Sequence, residues 1–166
     1  MTTLVIGGAG YIGSHVVRLL LEQGQQVVVV DDLSTGLRSR TEGAELIELD
    51  VTLPDAREKL AFHLRASGAD SVIHFAAHKQ VGESVENPEM YWHDNIAGLA
   101  NVLAACGSAG VRDVVLSSSA AVYGVPDVDL VGQVREAHEA LVQPLLVGGA
   151  GGELLLELGD LLLLVR

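Results

Sequence analysis

The sequence has few cationic side chains and few aromatic rings. Its 10 Lys and Arg residues stand against 22 Asp and Glu residues, so the formal net charge is −12. Without a basic surface to neutralise phosphates, the chain is not expected to bind nucleic acid or an anionic membrane surface. A small phosphate-containing ligand is still allowed, because a helix N-terminus binds phosphate without a cation.

Cysteine and long apolar runs are also scarce. The single cysteine, Cys106, cannot form an intrachain disulfide, which fits a reducing cytoplasm. The first residues lack the basic segment that opens a signal peptide. Glu157 and Asp160 interrupt the leucine-rich end of the chain, so no apolar run reaches the ~18 residues of a membrane span. We expect a soluble, cytoplasmic protein with no membrane partner.

Short apolar runs alternate with helical patterns along the chain. The runs that predict strands are 2–7, 26–31, 44–50, 70–77 and 112–124, the last running into a serine-rich loop. Patterns after Gly10, over 54–66 and from Asn87-Pro88 predict helices. Strands that alternate with helices predict a doubly wound α/β fold, a parallel sheet with helices on both faces.

Two of the predicted helices show apolar side chains at helical spacing. The first carries Ile12, Val16, Leu19 and Leu20, and Gly24 ends it. The one that begins at Asn87-Pro88 carries Ile96, Leu99, Leu103 and Cys106, and it ends at Gly107 or Gly110. We expect these side chains to face the sheet, with Cys106 as a small core residue.

A glycine-rich segment, GGAGYIGSH, lies between the first predicted strand and the first predicted helix. Gly8, Gly10 and Gly13 fit G-x-G-x-x-G, and Gly7, Gly10 and Gly13 fit the wider G-x-x-G-x-x-G. Such a corner permits positive φ and lets the helix N-terminus face a diphosphate. Asp31 ends the second strand, where a carboxylate accepts from ribose hydroxyls and repels a 2′-phosphate. The pattern predicts dinucleotide binding and favours NAD over NADP.

The segments GGAGYIGSH, DDLSTG (31–36), HFAAHKQVGESVENP (74–88), DNIAG (94–98) and SSSAAVYG (117–124) resemble the UDP-glucose 4-epimerases. These are extended short-chain dehydrogenases/reductases of the NAD-dependent epimerase/dehydratase group, with a Rossmann-type fold. The resemblance is dense over residues 1–131, which we expect to form the NAD-binding domain. It implies galactose metabolism, in which UDP-glucose and UDP-galactose interconvert through a 4-keto intermediate with bound NAD.

The resemblance also implies a set of site residues. Tyr11 and Ile12 would join Gly7, Gly10 and Gly13 at the diphosphate. The remaining cofactor contacts would be Asp31, Asp32, Leu33, Ser34, Thr35 and Gly36 around the adenosine ribose, Asp50 and Val51 at the adenine, and Phe75, Ala76, Ala77, Lys79 and Asn95 along the cleft. Ser119 would be catalytic, donating a hydrogen bond to the reacting sugar oxygen of a UDP-hexose.

Several of these residues have a purely structural alternative. Lys79 could be a solvated cation, Ser119 a turn former and Asp32 a turn acceptor. His74 and His78 stand four apart, but they fall at and after a strand end, so we expect core or loop histidines and no metal site. A related sugar-nucleotide dehydratase or decarboxylase is disfavoured, because KQVGES is typical of the epimerase branch.

The family's acid–base pair, Tyr followed four positions later by Lys, is missing. Four residues after Tyr11, Tyr91 and Tyr123 stand His15, Asn95 and Asp127, and the only lysines are Lys59 and Lys79. By position the pair should fall near 147–153, where Gly148 and Gly152 stand in one alignment. Without the ammonium, nothing lowers the tyrosine pKa from ~10 towards working pH. We therefore expect weak or absent epimerase activity; the alternative is a non-catalytic dinucleotide-binding module or fragment.

The segment 132–166 is interpreted as an altered tail with a short helix and a last strand. The family continues for about as many residues again, so we expect the UDP-sugar domain to be absent. The sheet would then be incomplete at its C-terminal edge. An unpaired edge predicts either dimerisation, as a homodimer, or aggregation.

Overall fold

The computed structural model describes residues 1–118 and, by its backbone alone, the strand 162–165. Met1–Val115 forms one compact unit. Its strands are β1 (Thr2–Ile6), β2 (Gln26–Asp31), β3 (Glu45–Glu48), β4 (Ser71–His74) and the start of β5 (Asp113–Ser117). Its helices are α1 (Tyr11–Glu22), α2 (Ala56–Ser67), α3 (Val81–Glu86), α4 (Pro88–Trp92) and α5 (Gly98–Ala109).

The strands form an open sheet in the order β3-β2-β1-β4-β5. β1 runs parallel to both β2 and β4, and Ile6 lies opposite Val30 on one side and His74 on the other. β2 is also parallel to β3. The strand order reverses between β1 and β4, and in such sheets ligands bind outside the carboxyl ends of the strands at this point.

Two apolar layers cover the sheet because side chains alternate along each strand. Leu4 and Ile6 of β1 pack in one cluster with α2 and α5, whereas Val5 packs in the other with α1. Val28 and Val30 of β2 follow the first pattern, and Val27 and Val29 follow the second. Helices therefore cover both faces, and the predicted doubly wound parallel sheet is confirmed.

Each helix and strand predicted within residues 1–118 is present, but two of the strands are shorter than predicted. β3 covers only Glu45–Glu48 of the predicted 44–50, and β4 ends at His74 rather than at 77. After His74 the chain makes one more ladder bond, from the Phe75 N–H to the Ile6 carbonyl. It then leaves the sheet as the loop 75–80. The short helix α3 was not predicted.

The predicted buried faces of two helices are partly wrong. In α1, Val16, Val17 and Leu20 are buried, but Ile12 and Leu19 are exposed. Between α4 and α5 the helix makes a π turn, His93–Ala97. A π turn inserts one residue into the helical repeat and so rotates the following face. The buried residues of α5 are consequently Gly98, Val102, Ala105 and Cys106, while Ile96 is 49% and Leu103 40% exposed.

The predicted helix ends and the core position of Cys106 are confirmed. Gly24 and Gly110 take positive φ where α1 and α5 end, the conformation that glycine favours after a helix. α4 begins at Pro88, directly after Asn87. Cys106 lies in the core, and burial raises the pKa of its thiol to about 11. Among the described residues, no helix is long and apolar enough to cross a membrane.

A second unit, Leu116–Leu164, contains the end of β5 and most of a last strand, β6 (Leu162–Val165). The strand predicted near the end of the chain is therefore present. The short helix predicted before it, in GELLLEL, lies outside the described residues. The domain boundary at 131, the absent sugar domain and the homodimer stay predictions.

Candidate functional site

The connection from β1 to α1 is a glycine corner, Gly7–Gly10, at the point where the strand order reverses. The Gly7 N–H donates to the Val30 carbonyl at 2.8 Å, and Gly7 has a φ of +78°. A Cβ at this position would lie 2.7 Å from the Ala76 backbone nitrogen. Glycine is therefore required here both by the backbone conformation and by contact with the loop that follows β4.

Helix α1 packs directly on this corner through Gly13. A Cβ at Gly13 would collide with the Gly7 carbonyl oxygen and lie 2.9 Å from the Gly8 Cα. At Gly10, the residue before the helix, only the Gly7 oxygen (3.2 Å) lies within 4 Å of a built Cβ among the described atoms. As far as residues 1–118 are concerned, the corner is thus closed at Gly7 and Gly13 and open at Gly10.

The open side faces the first turn of α1. The N–H groups of the first turn have no acceptor within the helix, and they carry the positive end of its dipole. Tyr11 and Ile12 begin this turn, and both side chains are exposed. The arrangement fits a phosphate group, as the glycine spacing predicts.

Asp31, at the end of β2, connects the corner to the loop that follows β2. Its Oδ2 accepts from the Ala9 N–H at 2.9 Å and its Oδ1 accepts from the Leu33 N–H at 2.9 Å. The residue is only 7% exposed. Asp31 therefore has a structural role in addition to the predicted ribose contact, and this role follows from no sequence motif.

The loop 32–36 is held in shape by its own side chains. Asp32 Oδ1 accepts from the Ser34 N–H at 3.0 Å and from the Ser34 hydroxyl at 2.7 Å, so Asp32 is a turn acceptor. Leu33 adopts a φ of +59°, which is uncommon for a residue with a side chain. Gly36 lies so close to Asp31 that a Cβ would stand 2.6 Å from Oδ1. Thr35 is exposed beside them.

Asp50 and Val51 stand after β3, where the adenine is predicted. Asp50 Oδ1 accepts from the Thr52 N–H at 2.8 Å and from the Thr52 hydroxyl at 2.7 Å. The Val51 carbonyl accepts from Asn101 Nδ2 of α5 at 2.9 Å. Asn101, which was not predicted from the sequence, thus connects the segment after β3 to α5.

The loop 75–80 carries the other predicted contacts. Phe75 and Ala76 are half-buried beside the corner, whereas Ala77 and Lys79 are exposed. Asn95, in the π turn, accepts from the His78 N–H at 2.8 Å and donates to the His78 carbonyl at 2.9 Å. Its amide thus supports the loop 75–80 from a helical segment. Its predicted contact with the cofactor stays a prediction.

Two further residues that sequence reasoning missed contact the same loop. The Tyr91 hydroxyl accepts from the Gln80 N–H at 2.8 Å. Asp94 Oδ2 lies 2.9 Å from His78 Nε2. The signal available in the sequence is the spacing of Tyr91, Asp94 and Asn95 at i, i+3 and i+4 after the helix start at Pro88.

His74, at the end of β4, is a core histidine as expected, and His78 is a loop histidine. His74 is 3% exposed, and its Nδ1 has no hydrogen-bond partner among the described residues. Burial lowers the pKa of His74 to about 4. Among the described residues no cluster of three His, Cys, Asp or Glu side chains is arranged to hold a metal.

The buried neutral His74 predicts a pH-dependent stability. Its folded-state pKa of about 4 lies below the ordinary value of ~6.5, so the unfolded chain binds a proton first as the pH falls. We expect His74 to cost about 3 kcal/mol of unfolding free energy as the pH falls from ~6.5 to ~4. Urea unfolding at several pH values across this range should show this loss of stability, and His74→Gln should remove the His74 contribution to it. The same pH dependence of stability in His74→Gln would contradict the conclusion that His74 is buried and neutral.

The structure thus brings together the predicted residues of the corner, the β2 loop and the loop 75–80. Asp50 and Val51 follow β3 at the same carboxyl edge of the sheet. Ser119, Tyr123 and the positions Gly148 and Gly152, where the acid–base pair is expected, lie outside the described residues. Their placement stays a prediction.

Comparison with known proteins agrees with this geometry. Residues 3–143 match the family described as "NAD dependent epimerase/dehydratase family". A UDP-glucose 4-epimerase of Corynebacterium glutamicum is 47% identical over 129 residues, 77% of this chain and 38% of its own length. One from Streptomyces lividans is 49% identical over 125 residues, 75% of this chain and 37% of its own.

Among solved structures, the UDP-glucose-4-epimerase of Stenotrophomonas maltophila, with bound NAD and formylated UDP-arabinopyranose, superposes with a TM-score of 0.71 at 37% identity. The match covers 87% of this chain and 48% of that one. The chain therefore spans less than half the length of these relatives. With a family match over most of its residues and a fold shared with these enzymes, the chain belongs to the NAD dependent epimerase/dehydratase family.

Proposed function

We propose that this chain binds NAD at the carboxyl ends of β1, β2 and β4, and that it does not by itself epimerise UDP-hexoses at a normal rate. The observation that supports NAD binding most directly is the Asp31 carboxylate, which accepts hydrogen bonds from the Ala9 N–H and the Leu33 N–H. This arrangement keeps a phosphate-binding helix start and a ribose-binding loop in one fixed geometry before any ligand arrives.

The residues present fit a dinucleotide. Backbone N–H groups at Gly10–Gly13 would hold the diphosphate, since residues 1–118 leave the corner open at Gly10. Each carboxylate oxygen has two lone pairs, so Asp31 retains acceptor capacity for a ribose hydroxyl, with Asp32–Gly36 around it. Asp50 and Val51 would border the adenine. Phe75–Ala77, Lys79 and Asn95 would line the rest of the cofactor cleft.

Bound NAD would supply a hydride acceptor and donor for C4 of a UDP-hexose, the substrate class that the relatives' names indicate. The chain's own residues would have to move the proton of the sugar 4-hydroxyl. Ser119 is proposed to donate a hydrogen bond to that oxygen, but a tyrosine with a neighbouring lysine is lacking at the required spacing. A phenol of ordinary pKa, ~10, remains protonated at neutral pH and is a poor base.

The domain assignment follows the same reasoning. Residues 1–131 are proposed as the NAD-binding domain, since they carry every segment of the resemblance. A dehydratase or decarboxylase would need the same missing pair, so the absence does not favour those reactions over epimerisation.

A calorimetric titration with NAD⁺, combined with a UDP-galactose turnover assay on the same sample, tests both halves. We expect saturable NAD⁺ binding and a turnover at least ~100-fold below that of the Corynebacterium glutamicum relative assayed in parallel. Failure to bind NAD⁺ would overturn the cofactor assignment. Turnover comparable to the control enzyme would show that another group acts as the base.

A further inference from the structure

Within the described part of the chain, one of the two lysines forms an ion pair and the other forms none. Lys59 of α2 pairs with Asp55 at 2.7 Å. Lys79 lies in the exposed loop 75–80 and makes no ion pair within residues 1–118. This loop starts at the glycine corner, where Ala76 packs against Gly7. The reach of the Lys79 ammonium therefore depends on how firmly its own backbone is held.

The residue after Lys79 is held by Tyr91. The Tyr91 hydroxyl accepts from the Gln80 N–H at 2.8 Å, and its own proton points to either the Gln80 carbonyl or Glu83 Oε2, both at 2.8 Å. A hydroxyl has one proton, and a bond to an ionised carboxylate is the stronger choice. Tyr91 thus connects the loop backbone to α3 as well as to α4.

The residue before Lys79 is held from the π turn one turn further along. Asp94 Oδ2 lies 2.9 Å from His78 Nε2, and its Oδ1 lies 2.8 Å from His93 Nδ1. The rings of His78 and Tyr91 also lie close, with centroids 5.4 Å apart. Asp94 thus holds the His78 ring, while the neighbouring Asn95 bonds the His78 N–H and carbonyl. Both neighbours of Lys79 are consequently fixed by side chains of one continuous helical segment, and Lys79 itself remains exposed.

We propose that Tyr91, through the Gln80 backbone, and Asp94, through the His78 ring, are positioning residues that hold the two neighbours of Lys79 and thereby aim its ammonium at the dinucleotide's diphosphate. The inference rests on the proposed NAD binding. A lysine on an unconstrained loop would have to be ordered when the ligand binds, and such ordering weakens affinity. A pre-ordered loop avoids that loss. Neither Tyr91 nor Asp94 contacts the ligand in this arrangement, so both act through Lys79.

The effect should be confined to ligands that carry phosphate. Tyr91→Phe keeps the ring and removes the hydroxyl, and we expect it to weaken NAD⁺ binding about fivefold to tenfold. Adenosine, which lacks the diphosphate, should bind equally to both proteins. Ser84→Ala is the matched control, because the Ser84 hydroxyl donates to the Val81 carbonyl and, within residues 1–118, to no group of the loop 75–80. It should leave both affinities unchanged.

A double-mutant cycle with Lys79→Met tests whether the tyrosine acts through the lysine. If it does, adding Tyr91→Phe to Lys79→Met should cause no further loss of NAD⁺ affinity. Equal losses in the two backgrounds, or no loss in either, would overturn the inference even though the wild-type chain binds NAD⁺. A wild-type chain that does not bind NAD⁺ would instead overturn the proposed function, and the inference with it.

Amide exchange in the ligand-free protein gives a second readout. Because the Gln80 N–H donates to Tyr91, Tyr91→Phe should speed exchange of that amide at least ~5-fold, with exchange in β1 and β4 unchanged. Asp94→Asn is the second variant, and like Tyr91→Phe it should lower the affinity for NAD⁺. Unchanged Gln80 exchange in Tyr91→Phe would show that the tyrosine does not order the loop.

Discussion

Gly13→Ala should raise the Kd for NAD⁺ at least ~100-fold and lower the free energy of unfolding by about 1–3 kcal/mol. A Cβ at Gly13 would collide with the Gly7 carbonyl oxygen and approach the Gly8 Cα, so α1 must move away from the corner. Overpacking of a rigid backbone contact costs energy of this size. The displacement also moves the N–H groups that would hold the diphosphate, and loss of two charge-assisted hydrogen bonds accounts for the affinity change.

The matched control is Gly107→Ala, the same substitution in another helix. A Cβ at Gly107 of α5 would meet no atom of residues 1–118 within 4 Å. We expect it to stabilise the protein by roughly 0.5–1 kcal/mol, because alanine is the better helix former, and to leave NAD⁺ binding unchanged. Chemical unfolding and calorimetry on both variants measure these effects. Tight NAD⁺ binding by Gly13→Ala would contradict the proposed diphosphate site.

The second large effect is expected for Asp31→Asn. The asparagine can still accept from one of the two backbone groups, but its NH₂ must then face the other N–H donor. A buried donor without an acceptor costs about 1–3 kcal/mol, so we expect a stability loss of about 2 kcal/mol. The corner and the β2 loop would no longer be joined, and the NAD⁺ Kd should rise at least ~30-fold.

The neighbouring Asp32→Asn is the control for charge removal. Asp32 is exposed and holds only its own turn, through Ser34, and asparagine can make the same turn. We expect a stability change below ~0.5 kcal/mol and a small change in affinity. If Asp32→Asn weakens NAD⁺ binding more than Asp31→Asn does, then Asp32 and not Asp31 makes the ribose contact, and the proposal for Asp31 is wrong.

The architecture could be predicted because its signals are local. Continuous apolar strands, such as Val27–Val30, indicate a sheet covered on both faces, and strands alternating with helices indicate parallel order. Gly24, Gly110 and the pair Asn87-Pro88 mark helix ends through their own backbone preferences. These features depend on few residues each, so they can be read without knowing what packs against them.

The buried faces of the helices could not be predicted as well. Ile96 and Leu103 fit a regular helical repeat, but the π turn at His93–Ala97 shifts that repeat by one residue. A π turn is stabilised by contacts outside the helix, here through Asp94 and Asn95 to the loop 75–80. The spacing of apolar residues in the sequence does not indicate this π turn.

In the candidate site, too, some features could be predicted from the sequence and others could not. The glycine corner and the position of Asp31 follow from motif spacing. The bonds from Asp31 to Ala9 and Leu33, from Tyr91 to Gln80, and from Asn101 to Val51 join residues that are distant in sequence or lie in irregular loops. They depend on the placement of whole elements and therefore required the structure.

The central claim is that a nicotinamide dinucleotide binds at the glycine corner beside Asp31. The most direct measurement is an amide-resolved NMR titration of the chain with NAD⁺. The account predicts saturating shifts at Gly10–Gly13 and at Leu33, with α2 unaffected. Absence of saturable shifts, or shifts confined to residues away from the carboxyl ends of β1 and β2, would contradict it.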